Sequence, residues 1–367
     1  ANAALARYLG DRNVNLHLVA HQVDPEFLNR PNIAVHLVPR SFGSDALGAW
    51  PLARRGRKVA RDVMARWRDP HVLVNGGNCS WPDVNWVHFV HHAWTCVDRT
   101  GPAWVKAKDR MVNAWGRRQE RRAMQCARLV IANSDRTRRD VIERVGIEPG
   151  RLLTIHLGSD PGWRPPTAAE RTAARARVGA AADRPLAVFV GALGSDQRKG
   201  FDTLWTAWRR LCAGSDWDVD LVVAGGGRTL RDWRQHAEWA GLAHRTRFLG
   251  FTDRVFDLLA AADVLVSPVR YEAYGLNVQE AICRGVPALV SADAGIADRY
   301  PPSLADMILP DPNDAQDLAA RMIRWRSDID GWKRRIAPLS DAFRRYTWAD
   351  MAATIVAAIE RPSNGLV

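Results

Sequence analysis

The hydrophobic pattern of the chain alternates between short apolar runs and longer segments in which apolar residues recur at helical spacing. The chain opens on a helical segment, whose stripe consists of Ala3, Ala4, Leu5, Tyr8 and Leu9. Strand-like runs rich in Val, Ile and Leu follow at 14–20, 33–39, 71–75, 84–90, 127–133 and 151–157. Their alternation with helices indicates βαβ units and a parallel sheet.

A segment rich in proline and glycine, GSDPGWRPPTAAE at 158–170, interrupts this pattern and reads as an interdomain linker. The pattern then restarts, with strand-like runs at 185–193, 218–226, 245–251, 262–268 and 286–292. We therefore predict an α/β fold with two Rossmann-like domains in series, with parallel sheets facing across a cleft that binds the ligand. The first domain spans residues 1–160 and lacks the strand that normally opens such a domain, and the second spans 161–345.

Composition narrows the classes of protein that this chain can belong to. The 367 residues contain no apolar run of about 18 to 20 residues, and the first residues do not have the pattern of a signal peptide. The five cysteines are scattered without a CxxC pair, which favours a reducing cytoplasm over a disulfide framework or a zinc site. The net charge of +12 favours nucleic acid, an anionic membrane or phosphate-bearing substrates. We expect no nucleic-acid partner, because no reading motif accompanies the charge.

The stretch RYEAYGLNVQEAICRGVP at 270–287 contains two glutamates eight positions apart, Glu272 and Glu280. Glu272 follows the predicted strand 262–268, and Gly275 permits a tight turn into a helix that ends near Gly285. The unpaired N–H groups of that helix would belong to Gly275, Leu276, Asn277 and Val278. They predict a phosphate site. Glu280 lies about one turn further on, where a carboxylate suits the two hydroxyls of a ribose.

This constellation resembles the retaining GT-B glycosyltransferases of family 4, in which two glutamates with seven residues between them follow a strand. FVGALGSDQRKGFDTLWTAW is similar to the donor-phosphate loop of that family, with Arg198 and Lys199 in its basic positions. The segments LVVAGGG, RFLGF and LLAAADVLVSPVRYEAYGL follow in the order of the family, so the resemblance is continuous over 127–291. One departure is Ala192, which stands where the family commonly has an arginine. We expect Arg198 to supply that charge.

The resemblance implies a role for each of these residues. The donor binds mainly to the second domain, where Arg198, Lys199 and the helix N-terminus stabilise the diphosphate and Glu272 contacts the sugar. Ser134 and Phe251 fall in the donor-binding segments of the family. The C-terminal segment 346–367 is expected to cross back to the first domain.

Two sets of residues outside this motif also carry candidate chemistry. VNWVHFVHHAW at 84–94 places histidines after a strand, and the resemblance implies that one of them contacts the transferred sugar. We assign this role to His91, with His92 as the alternative. A metal site formed by His88, His91 and His92 does not have zinc-helix spacing. The Asp-x-Asp pair Asp216 and Asp218 directly precedes a strand and is interpreted as a solvated loop.

The stretch 99–128 is dense in lysine and arginine and contains Trp104 and Trp115. Two interpretations remain open, namely peripheral contact with an anionic membrane and a solvated helix face.

The sequence thus predicts a cytoplasmic, retaining glycosyltransferase that uses a nucleoside-diphosphate sugar. The acceptor is a saccharide, a lipid-linked molecule or a small molecule. No cofactor or metal is expected, because basic residues and a helix N-terminus are available to stabilise the diphosphate. The alternative is a nucleotide-binding module or partner subunit of the same fold without transferase activity.

Overall fold

The structure of the protein, a computed structural model, describes residues 1–39, 45–95, 102–214 and 216–361. The chain divides into two compact units. The first unit comprises Ala1–Thr95, Ala107–Gly158 and the chain from Thr347 onward. The second unit comprises Ser159–Tyr346 and a short segment that ends at Lys106.

The first half of the chain forms two parallel sheets. One sheet pairs β1 with β2, and the other has the order β3-β4-β5-β6. The strands are β1 (Leu16–Ala20), β2 (Ile33–Leu37), β3 (Leu73–Asn75), β4 (Val84–Val87), β5 (Leu129–Ala132) and β6 (Leu152–Thr154). The helices are α1 (Asn2–Gly10), α2 (Asp45–Met64), α3 (Ala103–Cys126) and α4 (Asp135–Asp140). Apolar residues of β4, β5, β6 and α3, such as Val87, Val130, Leu152 and Met124, form one buried cluster.

The second unit contains one six-stranded parallel sheet of order β12-β11-β10-β7-β8-β9. Its strands are β7 (Leu186–Val190), β8 (Asp220–Ala224), β9 (Thr246–Gly250), β10 (Val264–Ser267), β11 (Ala288–Ser291) and β12 (Ile308–Leu309). Its helices are α5 (Ala168–Val178), α6 (Phe201–Cys212), α7 (Leu230–Trp239), α8 (Val255–Ala261), α9 (Leu276–Cys283), α10 (Ala315–Ser327) and α11 (Ile329–Arg345).

The last described helix, α12 (Trp348–Glu360), belongs to the first unit and packs against α1. It begins with a capping box in which Thr347 and Asp350 satisfy each other's backbone N–H groups. Arg128 donates to the carbonyl of Ile359 at 2.6 Å and to Asp83 at 2.8 Å, which ties the end of this helix to the sheet.

Each of the eleven predicted strand runs contains a strand, which is shorter than the run in every case. The pattern missed β12, because a strand of two residues has no detectable periodicity. In the described part of the chain, no helix combines the length and apolarity needed to cross a membrane.

The start of α6 requires a glycine for two reasons. Gly200 has φ +69°, and a Cβ atom there would lie 1.8 Å from the carbonyl oxygen of Pro268. Gly241 also has φ +69°, but a Cβ atom there would meet nothing within 4 Å. A side chain at either position would strain the backbone, but only a side chain at Gly200 would also overlap another atom.

Replacing Gly200 by alanine is expected to lower the free energy of unfolding by about 3–5 kcal/mol, whereas Gly241→Ala should cost only about 1–2 kcal/mol. The difference arises because only the first change displaces the Pro268 carbonyl. Urea denaturation followed by tryptophan fluorescence measures both values. Equal losses in the two variants would contradict the steric argument.

Candidate functional site

Three loops of the second unit meet beyond the carboxyl ends of β7, β8 and β10, the edge at which parallel sheets bind ligands. The loop after β7 (191–200) packs against the three glycines that follow β8. Leu193 donates to the Gly226 carbonyl at 2.9 Å, and a Cβ atom on Gly225 would lie 1.8 Å from the Gly191 oxygen. The close contact between these backbones fixes the position of the basic loop.

Arg270 anchors the same loop from the other side. Its guanidinium donates to both carboxylate oxygens of Asp202 at 2.7 Å and to the Gln197 carbonyl at 2.6 Å. Its backbone N–H donates to the Arg198 carbonyl at 2.8 Å. No role for Arg270 was predicted from the sequence. The position of Arg270 directly after a buried strand was nevertheless informative, because an arginine there needs a carboxylate partner.

Arg198 and Lys199 both approach Glu272, and the sequence predicted these three residues in one site. Lys199 Nζ forms an ion pair with Glu272 Oε2, and Arg198 Nη1 lies 3.6 Å from the same oxygen. Asp196 Oδ2 lies 4.0 Å from Arg198 Nε. Two cations and two carboxylates therefore share this corner. An added anion would find two basic groups already in place there.

The turn that carries Glu272 is held rigidly on both sides. The N–H of Glu272 donates to the Asp293 carbonyl at 3.1 Å, and its own carbonyl accepts from Gly295 at 2.9 Å. Tyr274 is buried, and its hydroxyl accepts from Arg299 at 2.8 Å and donates to Gln279. These contacts fix the turn that leads into α9.

The N-terminus of α9 offers free backbone donors, with one correction to the predicted set. Within the part of the chain that the structure describes, the N–H groups of Gly275, Leu276 and Asn277 have no acceptor. The N–H of Val278 instead donates to the Gly275 carbonyl at 3.0 Å, so its inclusion among the unpaired donors is wrong. The reason is that the first turn closes tightly, with an i→i−3 bond. The side chain of Asn277 donates to the Val190 carbonyl at 2.9 Å, which fixes the helix to the end of β7.

Glu280 lies one turn into α9 and is half-buried. No hydrogen-bond or ion-pair partner of its carboxyl group occurs among residues 1–39, 45–95, 102–214 and 216–361. Burial raises the pKa of Glu280 to about 7, because a desolvated carboxylate loses hydration that nothing replaces. A half-buried acid without a partner, one turn from a helix N-terminus, is typical of a ligand contact.

The histidines of the other candidate set lie in the first unit. His91 follows β4, and its ring packs edge-on against Phe89 with centroids 5.0 Å apart. The ring of His92 is hydrogen-bonded to Glu120, for which no role was predicted from the sequence. His88 lies partly buried beside Trp86, and desolvation lowers its pKa to about 4. Among the described residues, no group of three or more His, Cys, Asp or Glu side chains is arranged to hold a metal ion.

Three further predicted residues have clear positions. Ser134 is fully buried in the first unit, where it caps α4 by accepting from Thr137 N at 3.0 Å. Phe251 follows β9 in the second unit and is 88% exposed, which leaves its ring available to a ligand. Asp218 pairs with Arg326 through both oxygens at 2.7 and 2.5 Å, a structural role that fits the predicted loop. Donor binding by Ser134 and Phe251 stays a prediction.

The raised pKa of Glu280 predicts a specific pH dependence of stability. The folded state favours the neutral acid, so stability is fully present below about pH 4.5 and falls as the pH rises through 7. The total loss is about 3 kcal/mol at about 1.4 kcal/mol per pKa unit. Glu280→Gln should remove this loss and exceed the wild type in stability at pH 8. Urea denaturation at a series of pH values measures the difference, with Glu238→Gln, an exposed glutamate, as the control. Parallel curves for the wild type and Glu280→Gln would show that the group is not desolvated.

The chain is similar to a known family and to several known proteins. The family model "Family 4 Glycosyltransferase in conflict systems" matches residues 78–355. A D-inositol 3-phosphate glycosyltransferase of Geodermatophilus obscurus is 28% identical over 241 residues, which are 62% of this chain and 51% of that protein. The uncharacterized glycosyltransferase MJ1607 of Methanocaldococcus jannaschii is 29% identical over 187 residues, 50% of this chain and 46% of that protein. The chain thus spans about half the length of these curated relatives.

Solved structures show the fold. WaaG, a glycosyltransferase involved in lipopolysaccharide biosynthesis, superimposes with a TM-score of 0.73 at 20% identity, covering 96% of this chain and 94% of that one. Anabaena Alr3699/HepE in complex with UDP and glucose gives a TM-score of 0.71 at 19% identity, covering 99% and 96%. Since the family model covers well over half of the sequence, the chain belongs to the family-4 glycosyltransferases of conflict systems, and its fold is GT-B.

Proposed function

We propose that the protein transfers a sugar from a nucleoside-diphosphate sugar to an acceptor hydroxyl, with retention of anomeric configuration. The observation that carries the proposal is the set of three free N–H groups at the start of α9, between the Arg198–Lys199 pair and the unpaired Glu280. The family and the named activities of the relatives support the reaction class. The acceptor is a saccharide, a lipid-linked molecule or a small molecule.

The second unit has groups suited to each part of such a donor. Backbone N–H groups at a helix N-terminus bind phosphate through hydrogen bonds and the helix dipole. Lys199 and Arg198 add positive charge once the phosphate competes with Glu272 for them. Phe251 is exposed and offers a surface on which a base can stack.

Glu280 suits the ribose of the donor. An ionised carboxylate accepts hydrogen bonds from both vicinal hydroxyls, and these bonds replace the hydration that burial removes. Donor binding should therefore favour the ionised form of Glu280. This role would explain why an acid without a partner is retained in a half-buried position.

The chemical step requires stabilisation of the charge that develops on the leaving diphosphate. As the bond between the anomeric carbon and the phosphate oxygen breaks, negative charge grows on the diphosphate, where Arg198, Lys199 and the α9 N–H groups stabilise it. The acceptor oxygen bonds to the anomeric carbon on the same face, and its proton passes to the departing phosphate oxygen. Glu272 holds hydroxyls of the transferred sugar, and His91 or His92 of the first unit supplies a further contact. The basic groups carry the charge of the leaving group, so we propose that no metal or other cofactor takes part.

We further propose a cytoplasmic enzyme that contacts an anionic membrane through α3. The four cysteines in the described part of the chain are free, which suits a reducing compartment. One face of α3 carries Trp104, Met111 and Trp115, which are 70%, 74% and 42% exposed. Lys108, Arg118 and Arg122 are exposed on the same face. Exposed tryptophans interleaved with basic residues suit the interface of a negatively charged bilayer.

A thermal-shift screen of UDP, GDP, ADP and TDP sugars is expected to single out one donor base, because a ligand that binds only the folded state raises the melting temperature. Glu280→Ala should weaken donor binding by at least about tenfold, because two hydrogen bonds to a charged group are lost. The rise in melting temperature that the donor causes should therefore be smaller in this variant. Glu272→Ala should leave most of the shift and lower turnover. Proton NMR of the released or transferred sugar reports its anomeric configuration.

Two outcomes would count against the proposed function. Tight binding of a nucleoside diphosphate without turnover of any donor would favour the non-catalytic module. Wild-type affinity and turnover in both glutamate variants would show that the site lies elsewhere. An inverted product would overturn retention alone.

Replacing Trp104 and Trp115 together by serine is expected to weaken binding to vesicles of phosphatidylglycerol and phosphatidylcholine by roughly tenfold or more, because two large apolar side chains no longer enter the interface. Co-sedimentation measures the bound fraction, and binding should fall as salt is added. Trp239→Ser is the matched control, because Trp239 is 72% exposed on α7. Equal binding to purely neutral vesicles would contradict the proposed electrostatic contact.

A further inference from the structure

A fully buried carboxylate, Glu120, lies at the carboxyl edge of the four-stranded sheet in the first unit. Its Oε1 atom accepts from the backbone N–H of His91 at 2.8 Å. Its Oε2 atom accepts from the backbone N–H of His92 at 3.2 Å and lies 2.7 Å from Nδ1 of the His92 ring. Both oxygens thus act as acceptors, as those of an ionised carboxylate do.

This arrangement fixes the tautomer of His92. An ionised carboxylate can only accept, so Nδ1 of the ring carries the hydrogen and Nε2 carries the lone pair. The His92 side chain keeps 14% of its surface exposed. Across the described ranges of the chain, Nε2 of His92 has no hydrogen-bond partner. The ring therefore presents an acceptor that the fold itself does not use.

The surroundings of Glu120 show that this edge of the sheet is closely packed. A Cβ atom on Gly77, in the segment after β3, would lie 3.0 Å from the backbone nitrogen of Glu120. A Cβ atom on Gly116, one turn earlier in α3, would lie 4.0 Å from the ring of His91. Small residues therefore let α3 bring its single buried acid against the ends of β3 and β4, the edge where such sheets bind ligands.

We propose that Glu120 is a positioning residue, which holds His92 as the Nδ1–H tautomer so that Nε2 accepts a hydrogen bond from a hydroxyl of a sugar substrate. The identity of the hydroxyl as part of a substrate rests on the proposed function. His92, rather than His91, is then the histidine whose chemistry the fold controls, because the ring of His91 makes its described ring contact with Phe89.

The tautomer is tested directly by NMR of the full chain with nitrogen-labelled histidine, in alkaline solution where an imidazole is neutral. His92, assigned by its absence from the His92→Gln spectrum, should carry its hydrogen on Nδ1. In Glu120→Gln the amide can donate to the ring, and the hydrogen should move to Nε2. A wild-type ring protonated at Nε2, or a folded Glu120→Gln protein whose tautomer is unchanged, would overturn the proposal.

Measurements of kcat and KM distinguish a positioning role of Glu120 from a purely structural one. With UDP-glucose, GDP-mannose, ADP-glucose and TDP-glucose as probes, Glu120→Gln and His92→Gln should each lower kcat by about tenfold or more. The KM for the donor should stay the same. The double variant should be no slower than His92→Gln, because Glu120 acts through that ring. Losses that multiply in the double variant would contradict this. Glu143→Gln, an exposed glutamate of the same unit, is the matched control.

The two experiments keep this inference distinct from the proposed function. Donor binding in the thermal-shift screen depends on the second unit, whereas the tautomer of His92 depends on the first. A protein that binds and turns over a donor but shows no effect of Glu120→Gln refutes the inference alone. A protein with the expected tautomer that binds no nucleotide sugar refutes the proposed function and the substrate role of His92.

Discussion

The candidate donor site depends on the attachment of the loop after β7 to the segment after β10. Arg270 makes this attachment across 73 positions of sequence through the Gln197 carbonyl, and it adds a bidentate pair with Asp202. Without it, the loop that carries Arg198 and Lys199 would keep its backbone contacts with the glycines after β8 but would be less ordered beside Glu272, and ordering it would cost conformational entropy each time a ligand bound. The parallel sheet brings the two segments to one edge, and Arg270 sets their distance.

The same edge combines opposing electrostatic demands. The cations near Glu272 are already paired, so they rest in a neutral group that is stable without ligand. Glu280, in contrast to these paired cations, is desolvated and has no partner within the described chain. The negative part of a ligand would replace Glu272 as the partner of Arg198 and Lys199. Its hydroxyl groups would supply the hydrogen bonds that Glu280 lacks. The site is thus organised before it is occupied.

Much of this could be read from the sequence, since strand runs and the Gly275 turn have strong local signals. The Glu272, Arg198 and Lys199 cluster was also predictable, because strand ends of a parallel sheet share one edge. The bonded amide of Val278 was not, since it depends on how tightly one turn closes. The partners of Arg270 and Glu120 were also hidden, because they lie far away in sequence and only the tertiary fold selects them.

The boundary between the two units has a further consequence for how the chain is built. Ser159 N–H donates to the Tyr346 carbonyl at 2.9 Å, so the main segment of the second unit, Ser159–Tyr346, begins and ends at one point. Gly158 and Thr347, on the other side of that boundary, are also in close contact. This segment is therefore inserted within a discontinuous first unit. During synthesis the ribosome completes the inserted segment first, and the first unit can be completed only after α12 has emerged.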